Sequence, residues 1–143
     1  MSAAGFQIQT TQNVDDVSAN CNLIVTTTPT TEPLIRSAAL RKDGVHITAM
    51  GSDTPHKQEV ESAILAAADL VVADSIPQCL ARGEIFKALE ANVIDQSGLV
   101  ELGQIISARH HGRENDQQLT IADLTGVAVQ DIQITKAVFE AME

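Results

Sequence analysis

Neither tryptophan nor tyrosine occurs in this chain, and phenylalanine appears only three times. Base-stacking platforms are therefore scarce, and any core must be built from aliphatic side chains. Basic residues are few as well: nine Lys and Arg stand against nineteen Asp and Glu, for a net charge of -10. Such a surface repels phosphate backbones and anionic membranes, so no nucleic acid and no membrane is expected as a partner. No stretch approaches the roughly 20 apolar residues of a membrane span, and the start Met-Ser-Ala-Ala-Gly-Phe has no basic region. A cytoplasmic protein is the expectation. Cys21 and Cys79 are too few and too distant for a disulfide framework or a metal knuckle, and both are expected as buried, reduced thiols. None of the glycines at 5, 44, 51, 83, 98, 103, 112 and 126 has another two positions away. The G-x-G-x-x-G turn that holds a dinucleotide pyrophosphate on a helix N-terminus is thus absent.

What is present is an alternation of strand-length apolar runs with helix-length amphipathic segments. That is the pattern of a parallel sheet with crossover helices. Strands are expected at Phe6 to Gln9, Leu23 to Thr27, His46 to Met50, Leu70 to Ala73 and Leu119 to Ala122. Val60, Ile64 and Ala68 recur at four-residue spacing and predict a short helix with one apolar stripe. The segment Ser75 to Val93 reads as a helix broken near Gly83, with Asp74 or Ser75 capping its first turn and Pro77 tolerated there. Val127 to Met142 reads as a last helix whose broad apolar face, including Ile132, Phe139 and Met142, requires two neighbours. His110 to Gln118 is polar and aperiodic, a surface loop. The 143 residues and their 44% hydrophobic content suit one domain with a real core.

The polar residues gather where strands end, which is where parallel sheets bind ligands. Val25-Thr-Thr-Thr-Pro-Thr-Thr31 closes one strand and His46-Ile-Thr-Ala-Met-Gly-Ser-Asp-Thr-Pro-His-Lys57 contains another. In themselves the threonines suit a strand followed by an ST-turn before Pro29. Asp53 equally suits the cap of a helix starting near Pro55, with Lys57 solvated. Gly51, lacking Cβ, lets the backbone approach a planar ring.

These two segments, together with Leu70-Val-Val-Ala-Asp-Ser75, Glu101-Leu-Gly-Gln-Ile-Ile106 and Ala122-Asp-Leu-Thr-Gly-Val-Ala-Val-Gln-Asp131, resemble the cofactor-binding half of the ornithine cyclodeaminase and mu-crystallin family. The resemblance covers nearly the whole chain. It implies an α/β, partial Rossmann-like (doubly wound) domain that begins partway into the family's nucleotide-binding fold. The family's amino-terminal half, which grips the substrate carboxylate and forms most of the subunit interface, has no counterpart here. By resemblance Thr28 lies against the cofactor, and the strand end Met50, Gly51 and Ser52 lines the nicotinamide pocket. Asp53 matches the catalytic aspartate, and Lys57 a lysine that contacts the cofactor or orients the site. In Asp123-Leu-Thr-Gly126, Leu124 falls on the cofactor side, where several members have serine, and Thr125 on the substrate side. Glu101 to Gly103 is read as helix packing.

The implied reaction moves a hydride between NAD or NADP and the Cα of an amino acid or the carbon of an imine, with a carboxylate managing the proton and iminium charge. The rival is a non-catalytic folding or interaction module. Cofactor binding is expected to be weak without the glycine turn. A central strand left without its family neighbour implies a homo-oligomer or a complementing polypeptide. His46 is read as structural, His56 as either a site residue or a solvated turn residue, and His110 and His111 as loop residues with no metal site.

Overall fold

The computed structural model describes residue 5 and residues 7–142. Five strands, β1 (Leu23–Thr26), β2 (Val45–Ala49), β3 (Leu70–Ala73), β4 (Leu99–Glu101) and β5 (Leu119–Asp123), form one sheet in the order β1-β2-β5-β3-β4. Every pairing is parallel. The helices are α1 (Val14–Asn20), α2 (Ser62–Ala67), α3 (Ile76–Cys79), α4 (Gly83–Glu90), α5 (Leu102–Ile106) and α6 (Ala128–Glu140). The parallel α/β architecture read from the alternation is what forms.

Register decides which side chains enter the core. Ile24 lies beside Ile47, Ile47 beside Ile121, and Ile121 beside Val71, so one aliphatic row crosses the sheet on a single face. All are buried, and Ile64, Leu65, Ile85 and Ala88 from α2 and α4 close over them. The opposite face carries Leu23, Val25, His46, Thr48, Leu70, Val72, Thr120 and Ala122. Over β3 and β5 it is roofed by α5 and the turn after it, leaving a groove of about 310 Å³. Over β1 it is bare, with Leu23 61% and Val25 55% exposed.

Several expectations need correcting. Phe6 lies outside the described residues, and residues 7–9 join no strand, so among the described residues β1 is the sheet's edge. Leu99–Glu101, three residues with too short a period to mark a strand, forms β4 and pairs with β3 through Val71–Leu99 and Ala73–Glu101. Glu101 therefore belongs to the sheet, and only from Leu102 does its segment become helix, where Gln104 Oε1 accepts the Glu101 N–H at 2.9 Å. α1, held by the Asn13 side chain accepting from the Asp15 N–H, has too weak a stripe to be predicted. The break near Gly83 is real: α3 ends at Cys79, and α4 starts at Gly83, whose φ of 92° favours glycine. The Asp74 or Ser75 cap takes another form. Ser75 holds the N-cap position without a side-chain bond, while Asp74 Oδ1 accepts the Ser75 N–H. Cys79 is buried, but Cys21 is partly exposed. Among the described residues α6 has none of the neighbours its apolar face calls for: Ile132 is 63% exposed and Phe139 63%.

Candidate active site at the carboxyl edge of the sheet

In an all-parallel sheet every strand ends at the same edge, so the segments after β1, β2, β3 and β5 converge. The ladder extends one step beyond the strands. Met50 N–H donates to Thr26 O at 3.0 Å, Leu124 N–H to Ala49 O at 2.9 Å, and Asp74 N–H to Asp123 O at 3.1 Å. Thr28, Met50–Asp53, Leu124 and Thr125, drawn from three strand ends, therefore share one edge.

Thr28 is half-buried, and its hydroxyl donates to Glu59 Oε1 at 2.7 Å. Met50 is 49% exposed and presents its thioether chain to solvent. Gly51 is required within the chain itself: a Cβ there would stand 2.1 Å from Thr28 O and 2.5 Å from Glu59 Oε1. Ser52 is buried, and its hydroxyl donates to Lys57 O at 2.7 Å, turned into the protein. Thr125 is buried too, its hydroxyl directed to Asp74 Oδ1 at 3.2 Å. Leu124 is half-buried beside the groove on the open face.

Asp53 caps no helix. Residues 54–57 form a turn closed by Lys57 N–H to Thr54 O, and α2 starts only at Ser62. Instead Lys57 Nζ stands 2.6 Å from Asp53 Oδ1, and the ammonium holds this exposed carboxyl below its usual range. Lys57 is thus engaged, not solvated. Nearby Arg82 adds positive charge; its guanidinium reaches Gly126 O at 3.5 Å, and its Nε is buried without a hydrogen-bond partner.

Under these loops lies a group of carboxylates that pattern reading missed. Glu59, Glu84 and Asp123 are all buried. Glu84 accepts from the N–H groups of Glu59 at 2.7 Å and Val60 at 3.2 Å, and burial pushes its carboxyl up to about 7. Asp123, in the stretch that resembles the family's reaching strand end, points inward: Oδ2 accepts the Ile85 N–H at 2.8 Å, and burial pushes it up to about 8. Asp74 Oδ2 accepts the Gly126 N–H at 2.9 Å. For Asp74 and Asp123 the available signal was an acidic residue closing an apolar run, whereas Glu59, within the polar run His56-Lys-Gln-Glu-Val-Glu61, offered none; burying a carboxyl is tolerable only with partners.

Of the histidines, His46 sits half-buried with Nδ1 2.8 Å from Thr120 Oγ1 and Nε2 3.1 Å from Thr48 Oγ1; burial, then Arg113, lowers its pKa. His56 is exposed in the turn. Among the described residues no cluster of three His, Cys, Asp or Glu is arranged for a metal ion.

One family's sequence pattern matches residues 1–143, the whole of the chain that carries this edge. The chain belongs to the ornithine cyclodeaminase/mu-crystallin family. An uncharacterised cyclodeaminase of Sinorhizobium fredii is 39% identical over 139 residues, 96% of this chain and 42% of that protein. An archaeal alanine dehydrogenase, a dimer with bound NAD, superposes with a TM-score of 0.83 at 37% identity, covering 90% of this chain and 40% of that one. The iminosuccinate reductase of Paracoccus denitrificans, in complex with NAD+, gives 0.82 at 35% identity, covering 89% and 38%. The chain is thus a homologue of NAD-dependent amino-acid and imine oxidoreductases, and it spans about two fifths of the length of these relatives. No helix among the described residues is long and apolar enough to cross a membrane.

Proposed function

We propose that this chain carries the nicotinamide end of an NAD(P)-dependent oxidoreductase of amino acids or imines. The observation that carries the reading is the convergence of Thr28, Met50–Asp53 and Leu124 at one sheet edge, in a chain whose relatives bind NAD. The residues fit the two ends of the dinucleotide unequally. Exposed Met50 offers apolar contact beside a fixed carboxylate, which suits a nicotinamide ring. The pyrophosphate lacks its usual glycine turn, so the chain by itself binds weakly.

When bound, the nicotinamide supplies the hydride chemistry. Thr28, Met50, Gly51, Ser52, Lys57 and Leu124 shape its contact surface, Ser52 through the turn it braces and Lys57 through Asp53. Thr125, tied to Asp74, sets the backbone on the substrate side. Asp53 is the catalytic position. Because Lys57 holds its carboxyl low, it is a poor proton acceptor at neutral pH and is better suited to stabilising iminium charge.

The same reading includes an oligomer or a complementing polypeptide covering Leu23, Val25 and α6, and a reducing, cytoplasmic setting that suits two free thiols. The second reading, a non-catalytic interaction module, is favoured by that same bare surface. A 15N-resolved titration with NAD+ and NADP+ decides between them. At about 5 mM ligand, near the millimolar affinity that corresponds to roughly 4 kcal/mol, shifts are expected at Gly51, Asp53 and Leu124. Shifts confined to α6, or none, would sink the cofactor reading.

A further inference from the structure

Glu59 is buried to 0% exposure and lies under the two loops that carry the candidate cofactor contacts. Its Oε1 accepts from the Thr28 N–H at 2.5 Å and the Thr28 hydroxyl at 2.7 Å. Its Oε2 accepts from the Thr26 hydroxyl and the Gly51 N–H, each at 2.7 Å. Four donors thus meet the two oxygens of one side chain, two at each oxygen. The residue bearing it is itself immobilised. Its N–H donates to Glu84 Oε1 at 2.7 Å, and its carbonyl accepts from Leu34 and Ile35 at 2.8 and 3.0 Å.

The strand ladder between β1 and β2 ends at Met50 N–H to Thr26 O, and the far ends of the loops meet again at Gln58 N–H to Thr30 O. Between those points Thr28 and Gly51 are joined through the Glu59 carboxylate. The fit is close: a Cβ on Gly51 would stand 2.5 Å from Oε1 and 2.1 Å from Thr28 O.

We infer that Glu59 is a positioning residue that holds the Thr28 loop and the Gly51–Asp53 loop in one relative geometry, so that contacts from two strands form a single prearranged surface. The inference rests on reading this edge as the cofactor site. Preorganisation of this kind matters because a misplacement of about 1 Å costs roughly 10²-fold in a reaction that depends on orientation.

Glu59→Gln separates positioning from general support. An amide has one acceptor oxygen, so its NH2 must face either the Thr28 or the Gly51 N–H, and one loop loses its anchor. Thr26→Val is the control, since it removes one hydroxyl and leaves both loop N–H groups bonded. The measurement is 15N relaxation of the whole chain without ligand, because order parameters do not follow global stability. In Glu59→Gln, values at Thr28, Gly51 or both should fall from about 0.85 to below about 0.6 while Ile47 and Ile121 stay rigid, and Thr26→Val should resemble the parent. NAD+ affinity, read by shift titration, should fall at least about tenfold.

Unchanged order parameters at both loops, or a uniform fall across the sheet, would overturn the inference. If Glu59→Gln does not fold, Glu59→Asp, one methylene shorter, should loosen at least one loop; if neither folds, Glu59 supports the whole fold and the positioning role is overturned. If the parent does not bind NAD+, the cofactor reading fails on its own, and the order parameters still judge whether Glu59 positions the loops.

Discussion

The two faces of the sheet present opposite conditions to the same strands. On one, Ile24, Ile47, Val71 and Ile121 lie under α2 and α4 and are buried. On the other, two residues of β1, Leu23 and Val25, are more than half exposed, and α5 roofs only the far side. Parallel sheets ordinarily have both faces covered. Period-two alternation therefore identifies which residues share a face, whereas what covers a face depends on elements distant in sequence or on another chain.

The largest expected effect sharpens that contrast in stability. Ile121→Ala, at the centre of the covered face, should cost about 3 to 4 kcal/mol in urea unfolding, through lost transfer energy and a cavity. Val25→Ala on the bare face should cost less than about 1 kcal/mol if the chain is monomeric. A Val25→Ala cost rivalling that of Ile121→Ala would mean that the open face is covered in solution.

The faces should also respond oppositely to pH. Glu84, in the first turn of α4, and Asp123, packed beneath it, have folded pKa values raised to about 7 and about 8, so between their unfolded values and these the folded state binds more protons. Their contribution is greatest at low pH and is lost as pH rises towards 8. His46, on the other face, has a lowered pKa, so its contribution is present above the unfolded value and lost as pH falls. Two buried carboxyls with large shifts outweigh one half-buried imidazole. The melting temperature should fall by several degrees from about pH 5.5 to about pH 8, and by less in Glu84→Gln. A melting temperature that rises over this interval would reverse the ranking.

Association gives a smaller effect that bears directly on the bare face. Val25→Lys should shift light scattering towards monomer while moving the monomer's stability by no more than about 0.5 kcal/mol. Scattering that is oligomeric and unchanged would place the interface elsewhere.

The smallest stability effect is expected at Asp53, whose exposed pair with Lys57 contributes less than about 1 kcal/mol. Asp53→Asn should leave the unfolding midpoint nearly unchanged, yet abolish amino-acid-dependent NAD(P) reduction assayed with a polypeptide supplying the glycine turn. Normal turnover would remove Asp53 from the catalytic position.

Legibility followed the strength of local signals. Strands such as Leu70 to Ala73 and the helix break at Gly83 were visible because apolar runs and a glycine mark them locally. β4, only three residues long, carries too little pattern to register, and residues 7–9 look strand-like but meet no partner. At the candidate site, the Thr28 and Gly51–Asp53 loops were found because polar residues end apolar strands. Glu59, Glu84 and Arg82 were not, because their roles depend on partners such as Thr26, 33 residues from Glu59.

The alternation of strands and helices, the aliphatic core, the acidic balance and the membership of a family are all written in composition and local order. Packing in three dimensions set the rest: that Gly51 yields space to Thr28 and Glu59, that Ser52 and Thr125 turn inward, that Asp53 pairs with Lys57, and that among the described residues one face of the sheet is uncovered over β1. Those outcomes depend on hydrogen-bond donors and acceptors brought together through space, and a carboxylate is buried only where the fold supplies enough donors to satisfy it.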